Sequence, residues 1–355
     1  MTTRPPPVFA MIPVTILTGF LGVGKTTLLN TLLRENHGEK IAIIENEFGE
    51  INLDTRLLTQ NAEVEIIELT NGCVCCTVRG ELTASLQNLL ERRDAGALAF
   101  DRLILETTGL ADPAPIIQTF FVDEILRERF QLDAVIALVD SEHAQKQLNE
   151  HRVAASQIGF ADRLLLTKVD RLPLTGINDD DKALLIDRLR KINARAPIIE
   201  VVHGQLSHKD WLGLHAFNLE STLSLDEAYI APNASAPAFI PIRQPRSLLN
   251  RSWNDNIASH IFEAGEMNLV RVGAWMESLI EAHGNDMLRY KGILAIAGEP
   301  RRLIVQGVHK VVGFDYGEPW RSKEPRRSVL VVIGRELPLD AMKNGFMAAQ
   351  SAQFN

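Results

Sequence analysis

Gly19-Phe20-Leu21-Gly22-Val23-Gly24-Lys25-Thr26-Thr27 is the stretch whose reading decides the fold. Ahead of it lies Val14-Thr15-Ile16-Leu17, a β-branched, apolar run with the composition of a buried strand. Behind it lies Leu28-Leu29-Asn30-Thr31-Leu32-Leu33, which predicts a helix. Strand, glycine-rich turn and helix give the context for G-x-x-x-x-G-K-[ST], met by Gly19 and Gly24-Lys25-Thr26. Gly19, Gly22 and Gly24 let successive backbone N–H groups, Val23 among them, converge on phosphate oxygens at a helix N-terminus whose dipole favours anions. Lys25 adds a point charge at the β- and γ-phosphates, and the Thr26 hydroxyl is a ligand for Mg²⁺, with Thr27 beside it. A glycine turn with a surface lysine is the alternative, and the flanking strand and helix argue against it.

The chain has 355 residues, which predicts two domains. Its 46% hydrophobic and 23% charged residues are an average globular composition, able to bury a core. A net charge of −8 argues against a mainly electrostatic nucleic-acid binder. No stretch reaches the roughly 18 apolar residues of a membrane span. Residues 1–13 are proline-rich without an apolar signal core, so a cytoplasmic protein with no membrane partner is expected.

The cysteines are three, Cys73, Cys75 and Cys76, packed into four positions. That is no disulfide framework. Val64-Glu65-Ile66-Ile67-Glu68-Leu69 alternates as a strand does and runs into the Asn71-Gly72 turn, so the thiols are expected on a loop at a strand end. Cys-x-Cys-Cys offers three soft ligands in one short loop, suited to zinc or copper(I). A redox pair is the other reading, but so tight a spacing suits chelation better than the Cys-x-x-Cys of thiol exchange. Upstream, the apolar run Lys40-Ile41-Ala42-Ile43-Ile44 ends in Glu45-Asn46-Glu47-Phe48-Gly49-Glu50, which puts carboxylates at another strand end. In a parallel α/β sheet that edge is where ligands bind.

Leu82, Leu86, Leu89 and Leu90 mark one face of a helix. Arg102-Leu103-Ile104-Leu105-Glu106-Thr107-Thr108-Gly109 then reads as strand, acid, x, x, glycine. In P-loop NTPases such an acid holds Mg²⁺ and such a glycine senses the γ-phosphate, which makes Glu106 and Gly109 candidates. Residues 134–139 form another apolar strand, ending at Asp140. The next, Arg163-Leu164-Leu165-Leu166, ends in Thr167-Lys168-Val169-Asp170. This matches the guanine-reading N-K-x-D loop with Thr in place of Asn. Asp170 would accept from guanine N1–H and N2–H₂, a donor pair adenine does not present, and the Lys168 stem would lie along the purine plane. Residues 183–195 predict a helix with Leu184, Leu185, Leu189 and Ile192 inward, and residues 197–202 a strand ending at His203, which reads as structural or solvent-facing. A linker around Ala231-Pro232-Asn233-Ala234-Ser235-Ala236-Pro237 separates residues 1–222 from 238–355. Beyond it, short alternating runs surround a helix at 268–282, with Leu269, Val272, Met276, Leu279 and Ile280 on one face, and a last helix covers 339–349. That pattern indicates a small α+β sheet domain.

Taken together, these motifs resemble the CobW-type family of metal-binding P-loop GTPases, within it the YjiA-like subgroup. The resemblance rests on residues 19–29, 45–50, 71–76, 106–113 and 167–170, and in the second domain on Leu288-Arg289-Tyr290-Lys291-Gly292 and Gln306-Gly307-Val308. It implies a mostly parallel P-loop NTPase sheet followed by a smaller ferredoxin-like α+β domain. It also implies slow GTP hydrolysis with Lys25 and Glu106 as catalytic residues, and GTP, Mg²⁺ and a transition metal, zinc first, with cobalt and nickel open. Cys73, Cys75 and Cys76 match the family's metal motif, and Glu45 and Glu50 match acids implicated as metal partners. The implied role is delivery of the metal to a client metalloprotein. A metal-responsive GTPase switch that donates nothing is the alternative.

Overall fold

The computed structural model describes residues 10–35, 38–45, 64–68, 79–176, 178–217, 257–322 and 324–351. Packing divides them into two units, one of residues up to 140 with 163–170 and 198–217, the other of 141–162, 171–197 and 257–351.

The first unit is built on seven strands: β1 (Ile12–Gly19), β2 (Ile41–Glu45), β3 (Val64–Glu68), β4 (Arg102–Glu106), β5 (Phe130–Asp140), β6 (Arg163–Thr167) and β7 (Ile198–Val201). Their order in the sheet is β3-β2-β4-β1-β5-β6-β7. Every pair is parallel, so all the strands finish at one edge. All five residues of β4 are buried, as parallel strands covered on both faces require. Helix α1 (Lys25–Arg34) follows the glycine turn, and its Leu28, Leu29, Leu32 and Leu33 join one core with Leu17, Ile43, Ile104, Ile136, Leu165 and Trp211. Helix α2 (Arg79–Asp94) buries the expected Leu82, Leu86, Leu89 and Leu90.

Helices α3 (Ala114–Val122) and α4 (Glu124–Arg129) have no counterpart in the sequence reading. The first buries Ala114, Ile116, Ile117, Gln118, Thr119 and Phe120, nearly all round its axis, so it carries no amphipathic period to detect. The second is a short turn capped by Asp123, whose carboxylate accepts from Leu126 N–H at 2.9 Å.

One irregularity holds the start of the sheet together. The β1–β5 register shifts between Val14 and Thr15, which pair with Leu132 and Ala134, leaving Asp133 between them. The bulge turns its carboxylate onto Thr15 Oγ1 at 3.0 Å, Arg102 Nη1 at 2.9 Å, Gly213 N–H at 2.8 Å and His215 N–H at 2.6 Å. The last two tie down the segment that buries Trp211 and Leu212. Asp133 is 1% exposed, so its charge must be met within the protein.

The second unit contains α5 (Ala144–Glu150), α6 (Arg152–Phe160), α7 (Leu172–Thr175) and α8 (Asp179–Ile192), followed by an antiparallel sheet. Asn178 and Asp181 form a capping box that starts α8. Leu185, Leu189 and Ile192 face inward as expected, but Leu184 is 62% exposed. It lies one residue off the i, i+4, i+7 stripe, about 100° round the helix. The sheet strands are β8 (Ile257–Ala264), β9 (Met287–Ala295), β10 (Arg301–Val308), β11 (Val311–Pro319) and β12 (Ser328–Arg335), in the order β11-β10-β9-β12-β8. Helices α9 (Leu269–His283) and α10 (Leu339–Ala348) share their core, through Val272, Met276, Leu279, Met342 and Phe346 against Tyr290, Leu294, Val305 and Val332. Leu269, expected on the inner face, is 47% exposed, because it opens the helix directly after the Asn268 cap. The first of the alternating runs beyond the linker, at residues 238–243, lies outside the described residues.

The motifs of the second domain are packing devices. Alternation along β9 sends Arg289 to the Phe160 carbonyl at the end of α6 and to Asp162. Tyr290, on the other face, donates its hydroxyl to the Val311 carbonyl at 3.2 Å. Gly307 has no Cβ because one would collide with the Tyr290 ring, and a Cβ on Gly292 would lie 2.7 Å from the Val329 carbonyl.

Replacing Asp133 with Ala leaves the buried Arg102 guanidinium with the half-exposed Glu39 at 2.7 Å but without its fully buried partner, and leaves Thr15 Oγ1 and the Gly213 and His215 N–H groups without their acceptor. We expect a loss of about 3–5 kcal/mol in the stability of the first unit, read as a lower urea midpoint. A change within about 0.5 kcal/mol would show that the bulge network is dispensable.

Candidate nucleotide and metal site

The glycine turn lies between the end of β1 and the start of α1. Gly19, Gly22 and Gly24 have φ of 139°, 71° and 102°, all in the region that disfavours side chains. At Gly19 a Cβ would also lie 2.6 Å from the Leu138 carbonyl. At Gly22 and Gly24 a Cβ would meet nothing within 4 Å among the described residues, so these two are demanded by backbone conformation and leave an open concavity there. An open cradle of backbone N–H groups at a helix N-terminus fits a phosphate chain.

Lys25 is 5% exposed. Its ammonium donates to the Gly19 carbonyl at 3.1 Å and the Phe20 carbonyl at 3.4 Å, and stands 4.0 Å from Glu106. Its own loop therefore fixes the charge beside the cradle. Glu106 ends β4, opposite Leu17 of β1 and Glu45 of β2, and is 3% exposed. Thr26 is half-buried and Thr27 exposed on the first turn of α1. Thr26 and Glu106 are oxygen donors of the kind Mg²⁺ takes, and the ion would neutralise charge developing on the phosphate oxygens.

Two neighbouring loops are bound to β1 and the glycine turn. Thr107 N–H donates to the Leu17 carbonyl at 2.9 Å, and its hydroxyl to Thr18 Oγ1 at 2.9 Å. Gly109 then packs so closely that a Cβ would lie 2.6 Å from Leu21 N and 2.7 Å from Leu21 Cα. The Thr167 hydroxyl donates to the Val23 carbonyl at 2.8 Å, with the Val139 carbonyl at 3.2 Å. This explains Thr in the position of Asn: a hydroxyl suffices to reach the turn. Lys168 adopts φ 58° and pairs with Asp140 Oδ2 at 2.7 Å. Asp170 lies on a short helical turn, its carboxylate 3.6 Å from His203 Nε2. His203 is itself exposed, and Gly204 after it packs against Thr27 and Thr31 of α1.

The structure thus brings together Gly19, Gly22, Val23, Gly24, Lys25, Thr26, Thr27, Glu106, Gly109, Thr167, Lys168 and Asp170 at the sheet edge where the parallel strands end. Cys73, Cys75, Cys76 and Glu50 lie outside the described residues, as does the side chain of Glu45. The sequence reading gave no role to Asp140, although an acid ending a buried strand is the signal that singled out Glu106.

The model of the CobW/HypB/UreG nucleotide-binding domain matches residues 13–200. The chain belongs to the CobW/HypB/UreG family. The model of the cobalamin synthesis protein cobW C-terminal domain matches residues 257–350, so the CobW pattern extends over the antiparallel sheet as well. Among relatives, the zinc chaperone YjiA of Escherichia coli is 44% identical over 336 residues, 94% of this chain and 98% of that protein. The zinc chaperone CobW of Pseudomonas aeruginosa is 34% identical, over 96% of this chain and 92% of that protein. The crystal structure of Zn(II)-bound YjiA GTPase superposes with a TM-score of 0.74 at 37% identity, covering 97% of this chain and all of that one. None of the described helices is long and apolar enough to cross a membrane.

Gly109→Ala is expected to push the Leu21 backbone away and lower GTP hydrolysis at least about tenfold, with the melting temperature nearly kept. Wild-type turnover in a folded Gly109→Ala protein would contradict the close approach.

Proposed function

We propose that this chain is a metallochaperone that couples GTP hydrolysis to the binding and hand-over of a transition metal, zinc first. As a member of its family it is a GTPase that works with GTP, Mg²⁺ and zinc or another transition metal. Gly19, Gly22, Val23, Gly24, Thr26 and Thr27 hold the phosphates and Mg²⁺, with Gly109 against the γ-phosphate. Thr167, Lys168 and Asp170 form the guanine pocket. Lys25 and Glu106 lower the charge barrier to phosphoryl transfer to water. Cys73, Cys75 and Cys76 take the metal as cargo, with Glu45 and Glu50 as oxygen partners. The protein acts in the cytoplasm on a client metalloprotein.

The observation that supports the coupling is the order of three strands. β2 lies between β3 and β4, and Glu45 is the register partner of both Glu68 and Glu106. Cys73 follows five residues after Glu68 in the chain. The stretch leading to the thiols and the acid assigned to Mg²⁺ therefore leave one sheet edge on either side of Glu45. In the chain, residues 46–50 come after β2, between α1 and the Glu106 motif, the segment in which GTPases keep the switch that responds to the γ-phosphate. A shift of that segment with nucleotide would change which oxygens reach the thiols. By linkage, bound metal would then change nucleotide affinity by the same factor.

Two substitutions separate the halves. Lys25→Ala should lower GTP turnover by about 100-fold or more and leave zinc binding to the GDP form within about twofold. Cys75→Ala should abolish tight zinc binding, measured by competition with a chromogenic chelator, while GDP still binds. Unchanged zinc affinity in Cys75→Ala would remove the thiol loop as the metal site. Transfer of radioactive zinc to an apo-enzyme, faster with GTP than with GDP, is the expected sign of delivery. Nucleotide-responsive zinc binding with no transfer to any client would instead indicate a metal-responsive switch.

A further inference from the structure

We infer that Asp140 is a positioning residue of the guanine pocket, which fixes the Lys168 side chain along the purine and away from Asp170. The inference rests on the assignment of Thr167-Lys168-Val169-Asp170 as the base-reading loop and adds a residue that assignment does not contain.

The observations begin with burial. Asp140 is the last residue of β5, stands opposite Thr167 in the β5–β6 register, and is 2% exposed. A carboxylate in that setting needs a charged or hydrogen-bonding partner. It meets the Lys168 ammonium at 2.7 Å. The Lys168 side chain is nevertheless 26% exposed. With the charged end held on a buried carboxylate, the aliphatic stem that leads to it is fixed in place at the loop. A lysine stem anchored at the base-reading loop is an apolar surface on which a flat, weakly polar ring can rest.

Backbone conformation points the same way. Lys168 sits at φ 58°, a region that a long side chain rarely adopts. A glycine or asparagine would relieve that cost, so the lysine is retained for its side chain. Its neighbour Thr167 is tied to Val23 and Val139, so the backbone around Lys168 is held on one side by the phosphate-binding turn. Asp140 supplies the anchor on the other side.

The electrostatic consequence concerns Asp170, two residues beyond Lys168. An unanchored ammonium on so short a tether would pair with that carboxylate. It would then compete with guanine N1–H and N2–H₂ for the same oxygens. Holding it on Asp140 separates the two charges and leaves the lysine stem and the Asp170 carboxylate to different parts of the base.

The test is a mutational cycle on the full chain, read by titration with fluorescent GDP. Asp140→Asn and Lys168→Met should each weaken GDP binding about tenfold, and the double variant should be no more than about twofold worse than Lys168→Met alone. Losses that multiply, to about 100-fold in the double variant, would mean that Asp140 acts without Lys168 and would overturn the inference. If Asp140→Asn fails to fold, Lys168→Met and the double variant still decide. Neither contrast depends on the single variant: equal affinity of those two supports the role, and a further fivefold loss on adding Asp140→Asn refutes it. Asp170→Asn serves as the control on the parent assignment. Xanthine carries a carbonyl where guanine carries the N2 amine, so this variant should prefer XDP to GDP. If it does not, the base-reading assignment fails and the inference with it. If it does and Asp140→Asn binds GDP like wild type, the inference alone fails.

Discussion

The Thr167 hydroxyl donates to the Val23 carbonyl across 144 residues of sequence, and much of the site depends on that reach. A phosphate cradle must be bare backbone, and bare backbone has no side chains with which to hold its own shape. This protein braces it from outside. Thr167 holds it from the β6 end and Thr107 binds beside it at the β1 end. Gly109 closes against Leu21 so tightly that no side chain fits. Lys25 turns back to its own loop carbonyls and faces Glu106. Thr167 ends β6, and Thr107 and Gly109 follow β4, so the all-parallel sheet is what delivers them to one place.

The same logic carries charge to the edge without exposing it. Glu106 and Asp140 are both buried acids at strand ends, and each stands by a lysine of a functional loop, Lys25 and Lys168. Buried carboxylates are tolerable only when paired, and each pairing holds a lysine of the sheet edge in one place. Asp133 obeys the rule at a bulge of β5, where its four partners are structural. One strand, β5, thus carries a stabilising acid near its start and a positioning acid at its end.

Much of this was legible in the sequence because its signals are local. Glycines with a fixed spacing, an acid ending an apolar run and a lysine-containing tetrapeptide all announce themselves within a few residues. Strands β2, β4 and β6 were readable because burial on both faces makes them continuous apolar runs, and β3 was readable by its alternation. Helix α3 was not, since burial nearly all round erased its period, and Leu184 was misplaced because adjacent leucines leave the stripe ambiguous by one position. The role of Asp140 was hidden for a different reason. Its partner lies 28 residues away, and only the β5–β6 register puts it opposite Thr167. The motifs of the second domain were visible as patterns, but their meaning, a glycine under a tyrosine ring and an arginine on a helix end, needed the sheet alternation to appear.

The central claim is that nucleotide state and metal affinity form one machine. The measurement that tests it most directly is a competitive zinc titration of the reduced protein, run with Mg²⁺–GDP and again with a non-hydrolysable Mg²⁺–GTP analogue. A coupling of about 1–3 kcal/mol predicts zinc affinities that differ by about 5- to 150-fold, and the sign tells whether GTP loads or ejects the ion. Superimposable titration curves would contradict the account and leave a GTPase that carries a metal site to which its nucleotide is indifferent.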